Sequence, residues 1–193
     1  MKYRSILLFG APGVGKGTQG KVLGVIPNFF HCACGDVFRN LRSDSPLGKI
    51  FIEYSSRGQL VPDEQTIELW HQFIVNSTKI GRFHPDHDML VLDGIPRNVR
   101  QAEILRDTLD VQAVFLLRCK DEDKLVERMQ RRAIKDNRLD DANLDVILER
   151  LKNYEMETMP VLKFYGAHLV HKINADQSPA KVLSDILRIA AKK

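Results

Sequence analysis

The chain has 193 residues, 44% hydrophobic and 28% charged, enough for one well-buried core and too few for two ordinary domains. Its formal charge of +4 suits an anionic ligand, but the basic residues are dispersed and form no polybasic run of the kind that binds nucleic acid. An odd number of cysteines (three) argues against a disulfide framework, and no segment has the length of a signal peptide's or a membrane span's apolar run, so a cytoplasmic, reducing setting is expected.

Strands and helices alternate along the chain. Residues 5–9 form a continuously apolar strand, followed by a glycine-rich loop and a helix over 16–23 that Gly24 and Pro27 stop. A second strand covers 29–33, with Asp36 placed to cap a helix beginning near Val37. Helices follow over 47–56 and from 61 to about 77. A strand at 88–92 precedes a helix over 99–109, and the run VQAVFLL at 111–117 is the clearest strand. Residues 122–132 are helical and 133–143 polar. The spacing of Leu144, Ile147, Leu148, Leu151 and Tyr154 predicts a long helix over 144–165, bent by Pro160. A fifth strand at 168–173 and a helix over 179–191 close the chain. Strands apolar on both faces and alternating with helices imply a five-stranded parallel sheet with helices on either side, an α/β fold whose ligands bind at the carboxyl ends of the strands. The two segments that fit this scheme poorly, within 34–62 and 131–143, fall at those ends and are candidate lids on a single domain spanning 1–193.

The stretch GAPGVGKGT, Gly10 to Thr18, carries the most chemistry. Glycines let backbone N–H groups turn inward around an anion, and the helix that follows adds its positive dipole end. Lys16 then reaches the outer phosphates as a mobile point charge. The pattern departs from G-x-x-x-x-G-K-[ST] because Gly17 separates Lys16 from Thr18. Asp93, at the end of an apolar strand, lies where a carboxylate would hold Mg²⁺ through water, or simply closes a turn; the Thr18 hydroxyl could reach the same ion. Zinc is not expected: Cys32 and Cys34 lack a second cysteine pair, and His84-Pro-Asp-His87 reads as a solvated turn.

The variant G-K-G-T is carried by nucleoside monophosphate kinases, and the chain resembles adenylate kinase over nearly its whole length. Cys34-Gly-Asp-Val-Phe-Arg39 resembles the family's T-G-D-x-x-R element, and Gly58-Gln-Leu-Val61-Pro-Asp63-Glu its G-x-L-V-x-D-E element. Asp93-Gly-Ile-Pro-Arg97 with Gln101 resembles D-G-F-P-R followed by Q. Arg131-Arg132, the group from Asn137 to Asp141, and Arg150 resemble the lid and the helix after it. The resemblance implies a P-loop NTPase fold with a monophosphate-binding insertion at 34–62 and a short lid at 131–143. It implies transfer between MgATP and AMP giving ADP, by a monomer. Gly13, Val14, Gly15, Lys16, Gly17, Thr18 and Arg128 would then bind ATP. Cys34, Arg39, Gln59, Leu60, Val61, Gly94, Arg97, Gln101, Arg138 and Arg150 would bind AMP, and Lys16, Arg97, Arg128, Arg132, Arg138 and Arg150 would surround the transferred group.

The residues read by themselves fit this chemistry. Phosphoryl transfer asks chiefly for positioning and positive charge, and arginine's planar fork suits paired phosphate oxygens. A monophosphate acceptor needs no base, because its second pKa of about 6 leaves it dianionic at neutral pH. A hydroxyl acceptor would need one, and Asp36 is the available carboxylate. Cys34 stands where adenylate kinases usually carry threonine and UMP/CMP kinases a small apolar residue, whereas Gln101 argues for AMP. UMP/CMP transfer and a nucleotide-driven switch therefore stand as alternatives. In the lid, Ala133 and Asn137 occupy positions that are often glycine, and alanine does not tolerate a left-handed backbone.

Overall fold

The computed structural model describes residues 2–136 and 143–193. Its centre is a five-stranded parallel sheet in the order β2-β3-β1-β4-β5, built from β1 (Tyr3–Phe9), β2 (Phe29–Ala33), β3 (Met89–Asp93), β4 (Leu109–Arg118) and β5 (Val170–Asn174). Side chains alternate across the strands, so β1 feeds both layers of the core. Leu7 and Phe9 pack with Trp70, Ile74, Phe83 and Leu116 on one face. Ile6 and Leu8 pack with Leu23, Val91, Phe115 and Ile186 on the other. Burial on both faces is why the inner segments 6–9, 89–92 and 113–117 are apolar without a break, while the edge strand β5 is not.

The helices are α1 (Lys16–Leu23), α2 (Cys34–Arg39), α3 (Pro46–Ser55), α4 (Asp63–Lys79), α5 (Val99–Leu105), α6 (Glu122–Lys135), α7 (Leu144–Asn153), α8 (Val161–Tyr165) and α9 (Pro179–Ala190). Several begin on the local chemistry of a cap: Ser45, Asn98, Asp121 and Ser178 each accept a hydrogen bond from a backbone N–H of the first turn. Among the described residues no helix is long and apolar enough to cross a membrane.

Four local expectations change. α2 starts at Cys34 with Ala33 at its N-cap, so Asp36 lies inside the first turn and is not the cap. α5 stops at Leu105, because Leu109 already pairs with Tyr3 as the first residue of β4. The long C-terminal helix is broken earlier than Pro160: Tyr154–Thr158 forms a π-helical turn, with the Met159 N–H bonded to the Tyr154 carbonyl, and Pro160 caps α8. Proline cannot donate to the ladder and crowds the carbonyl a turn before it, which the wider turn relieves. Finally, α6 runs on to Lys135, so Ala133 is helical and needs no left-handed backbone; Asn137 lies outside the described residues.

Candidate active site

The parallel register brings three loops together at one end of the sheet. Asp93, last in β3, is level with Leu8 of β1 on one side and Ala33 of β2 on the other. The glycine-rich loop leaves β1, Cys34 leaves β2 and Gly94 leaves β3 within this short arc, above a cleft of about 790 Å³. Sheet topology, not proximity in sequence, assembles the site.

The loop itself is a cradle. Gly15 takes a left-handed φ of +107° at the N-cap of α1, and a Cβ there would meet nothing within 4 Å, so its face is open to a ligand. Lys16 Nζ donates to the Gly10 and Ala11 carbonyls at 2.6 and 3.1 Å, which folds the side chain back over the loop. Burial lowers its pKa from 10.5 to about 8; Asp93 opposes this, while Arg97, Arg132 and Arg150 add to it. Arg97, Arg132 and Arg150, from three separate parts of the chain, line the same cleft as this ammonium.

A second group of cations lies over α2. A Cβ on Gly35 would stand 3.0 Å from Arg39 Nη1 and 3.8 Å from Arg97 Nη2, so both guanidinium tips converge on that glycine. Arg97 is held at three points. Its Nε donates to the Gly94 carbonyl at 3.0 Å, its backbone N–H to Gln101 Oε1 at 2.7 Å, and its carbonyl accepts from Thr158 Oγ1 at 2.7 Å. Arg39 lies 3.4 Å from Asp36 and above the Phe51 ring. Asp36 is thus tied to a cation one turn along, an arrangement unlike that of a base awaiting a hydroxyl.

Every site residue expected from the sequence lines this one cleft, among the described residues: Gly13 to Thr18, Cys34, Arg39, Gln59 to Val61, Asp93, Gly94, Arg97, Gln101, Arg128, Arg132 and Arg150. Arg138 lies outside the described residues. The cleft also takes in Thr66, Tyr154, Thr158, Gln177 and Pro179, which belong to no motif. Cys34 is a buried thiol whose pKa burial raises to about 11, so it enters the pocket neutral. The Asp93 carboxylate lies above the first turn of α1, where a Cβ on Gly17 would be 3.6 Å from Oδ2. With the Thr18 hydroxyl one residue on, this offers hard oxygen donors of the kind Mg²⁺ takes. Among the described residues no three His, Cys, Asp or Glu side chains converge to hold a metal ion by themselves.

A parallel sheet whose central strand runs into a glycine-rich loop, a lysine and a helix defines a P-loop NTPase. The family model described as "Adenylate kinase" matches residues 8–170. Relatives carrying that name include one from Ruminiclostridium cellulolyticum, 33% identical over 193 residues, covering 83% of this chain and 86% of the relative. One from Thermobifida fusca is 37% identical over 176 residues (88% and 89%), and one from a Cyanothece species 36% identical over 191 (95% and 93%). The chain belongs to the adenylate kinase family.

Proposed function

We propose that the protein is a short-lid adenylate kinase that transfers the terminal phosphoryl group of MgATP to AMP, reversibly, giving two ADP. One observation carries the reading: two cation groups, Lys16 in the glycine loop and Arg39 with Arg97 over α2, line a single cleft with Arg132 and Arg150. That arrangement fits two anions meeting end to end. The loop from Gly13 to Thr18, with Arg128, would hold ATP, and Arg39, Arg97 and Gln101 would orient AMP. An AMP phosphate oxygen attacks the γ-phosphorus, the bond to the β,γ-bridging oxygen breaks, and ADP leaves from both sides. No proton has to move, because the acceptor is already dianionic. The protein's work is to align the two phosphates, screen their charge with fixed arginines and keep water out. Mg²⁺, held with the nucleotide and by Asp93 and Thr18, would supply further charge neutralisation.

Residues 34–62 form the monophosphate-binding insertion and 131–143 the lid in this reading. The protein acts as a cytoplasmic monomer on nucleotides alone, without zinc, nucleic acid or membrane. The test is ADP formation from MgATP with AMP, CMP, UMP or no acceptor. Turnover that depends on AMP above the others is expected. Preference for CMP or UMP would assign the site to pyrimidine nucleotides, and equal ADP release without acceptor would mark a hydrolysing switch.

A further inference from the structure

We infer that Asp63 is a positioning residue for base recognition: it fixes the Gln101 carboxamide so that an N–H, and not a carbonyl, faces the base in the monophosphate pocket. This rests on the monophosphate reading of the cleft, and adds which bases that pocket admits.

Gln101 is 1% exposed, yet it lines the same cleft as Cys34 and Val61. Its Oε1 accepts from the Arg97 backbone N–H at 2.7 Å, and its Nε2 donates to Asp63 Oδ1 at 2.8 Å. Both partners are one-way: a backbone N–H only donates and an ionised carboxylate only accepts. Turning the amide over would set N–H against N–H and carbonyl against carboxylate, so the two partners admit one orientation. One Nε2 hydrogen goes to Asp63; the other has no protein acceptor among the described residues. Asp63 is itself fixed, since Asn98 Nδ2 donates to the same Oδ1 at 2.9 Å. Asn98 Oδ1 in turn accepts from the Gln101 backbone N–H at 2.8 Å and caps α5. Asp63, at the start of α4, thereby locks a side chain on α5.

A locked donor sorts bases by the ring nitrogen on the Watson–Crick edge. Adenine N1 and cytosine N3 are acceptors and complete the bond. The N–H groups of guanine, hypoxanthine and uracil at that place would leave two donors facing each other in a buried site, which discriminates far more sharply than a missing methylene.

The experiment compares kcat/KM for AMP and inosine monophosphate, and for CMP and UMP, with MgATP in wild type, Asp63→Ala and Asp63→Asn. Inosine monophosphate keeps the ribose and phosphate of AMP and changes only the base edge. Wild type should favour AMP over it by at least about 100-fold. Asp63→Ala should narrow that ratio by about tenfold, chiefly through the KM for AMP, as expected for loss of one fixing hydrogen bond. Asp63→Asn keeps an Oδ1 acceptor and should stay within about threefold of wild type. Wild type that uses inosine monophosphate as readily as AMP overturns the inference whether or not the alanine variant folds. So does a folded alanine variant with the wild-type ratio, or an asparagine variant as impaired as alanine. A protein that ignores AMP but uses CMP and rejects UMP would refute the adenylate assignment while supporting the locked donor, because those two bases pose the same choice.

Discussion

Raising the pH past 8 should weaken ATP capture by discharging one side chain. Burial is the main cause that brings Lys16 from 10.5 to about 8, with Arg97, Arg132 and Arg150 adding to it against Asp93. The difference corresponds to about 3 kcal/mol in favour of the neutral amine. In the free protein kcat/KM for MgATP should therefore fall by about tenfold for each pH unit between 8 and 10. kcat reports the bound state, where the triphosphate's charge holds the ammonium, so its decline should begin at higher pH. The substrates' phosphates are already fully ionised in this range and contribute no fall of their own. Initial rates from pH 7 to 10 provide the assay, and a kcat/KM that stays level to pH 10 would show that discharge of Lys16 does not limit MgATP capture in this range. The same group has a stability signature of defined sign. Between pH 8 and 10.5 the unfolded chain retains a proton on Lys16 that the folded chain has lost, so this residue's contribution to stability rises with pH through that window. Denaturant unfolding of wild type against Lys16→Met should show the difference moving in favour of wild type there.

Other expectations follow from single contacts. Cys34→Thr, which replaces a neutral buried thiol with a hydroxyl in the proposed AMP site, should raise the AMP-to-CMP preference in kcat/KM; an unchanged ratio would leave Cys34 as packing alone. Gly58→Ala would put a Cβ 2.7 Å from the Val146 carbonyl at a φ of +71°. The cost should be about 2 kcal/mol or a melting point lower by about 4–8 °C, measured by calorimetry, and unchanged melting would contradict so close an approach of Gly58 to α7. The KM for AMP should rise with it, because the Gly58 carbonyl also receives Asn153 Nδ2 at 3.0 Å and ties the insertion to α7. In the native protein at neutral pH, an alkylating reagent should modify Cys119 alone and leave the buried Cys32 and Cys34 until unfolding; early loss of either would show the pocket to be open.

The sheet was legible because burial on both faces leaves a local mark, an unbroken apolar run such as residues 113–117. The phosphate cradle was legible because its function demands glycine and lysine at fixed spacing between a strand and a helix. Helix boundaries were less so. Cys34-Gly35 reads as loop, yet α2 begins there directly from β2, while Leu109 continues a helical pattern that pairing with Tyr3 overrides. The π turn at Tyr154–Thr158 answers a proline several residues later, and no propensity in those five residues announces it. Long-range links were not legible: Thr158 on the Arg97 carbonyl, and Asp63 on Gln101, join residues far apart in the chain, and the motif that contains Asp63 does not say which side chain it holds. The motif was enough to group Arg97 and Gln101 with the other cleft residues, but not to say what holds them in place.

In the proposed reaction one cleft accommodates two nucleotide anions end to end, one on Lys16 and one on Arg39 with Arg97. Calorimetric titration with a mimic that joins two adenosines through a polyphosphate chain tests it directly. One mimic should bind per protein, displace both ATP and AMP, and be markedly weakened by either Lys16→Met or Arg97→Met. A mimic whose binding ignores Arg97→Met, and which leaves AMP free to bind beside it, would contradict it.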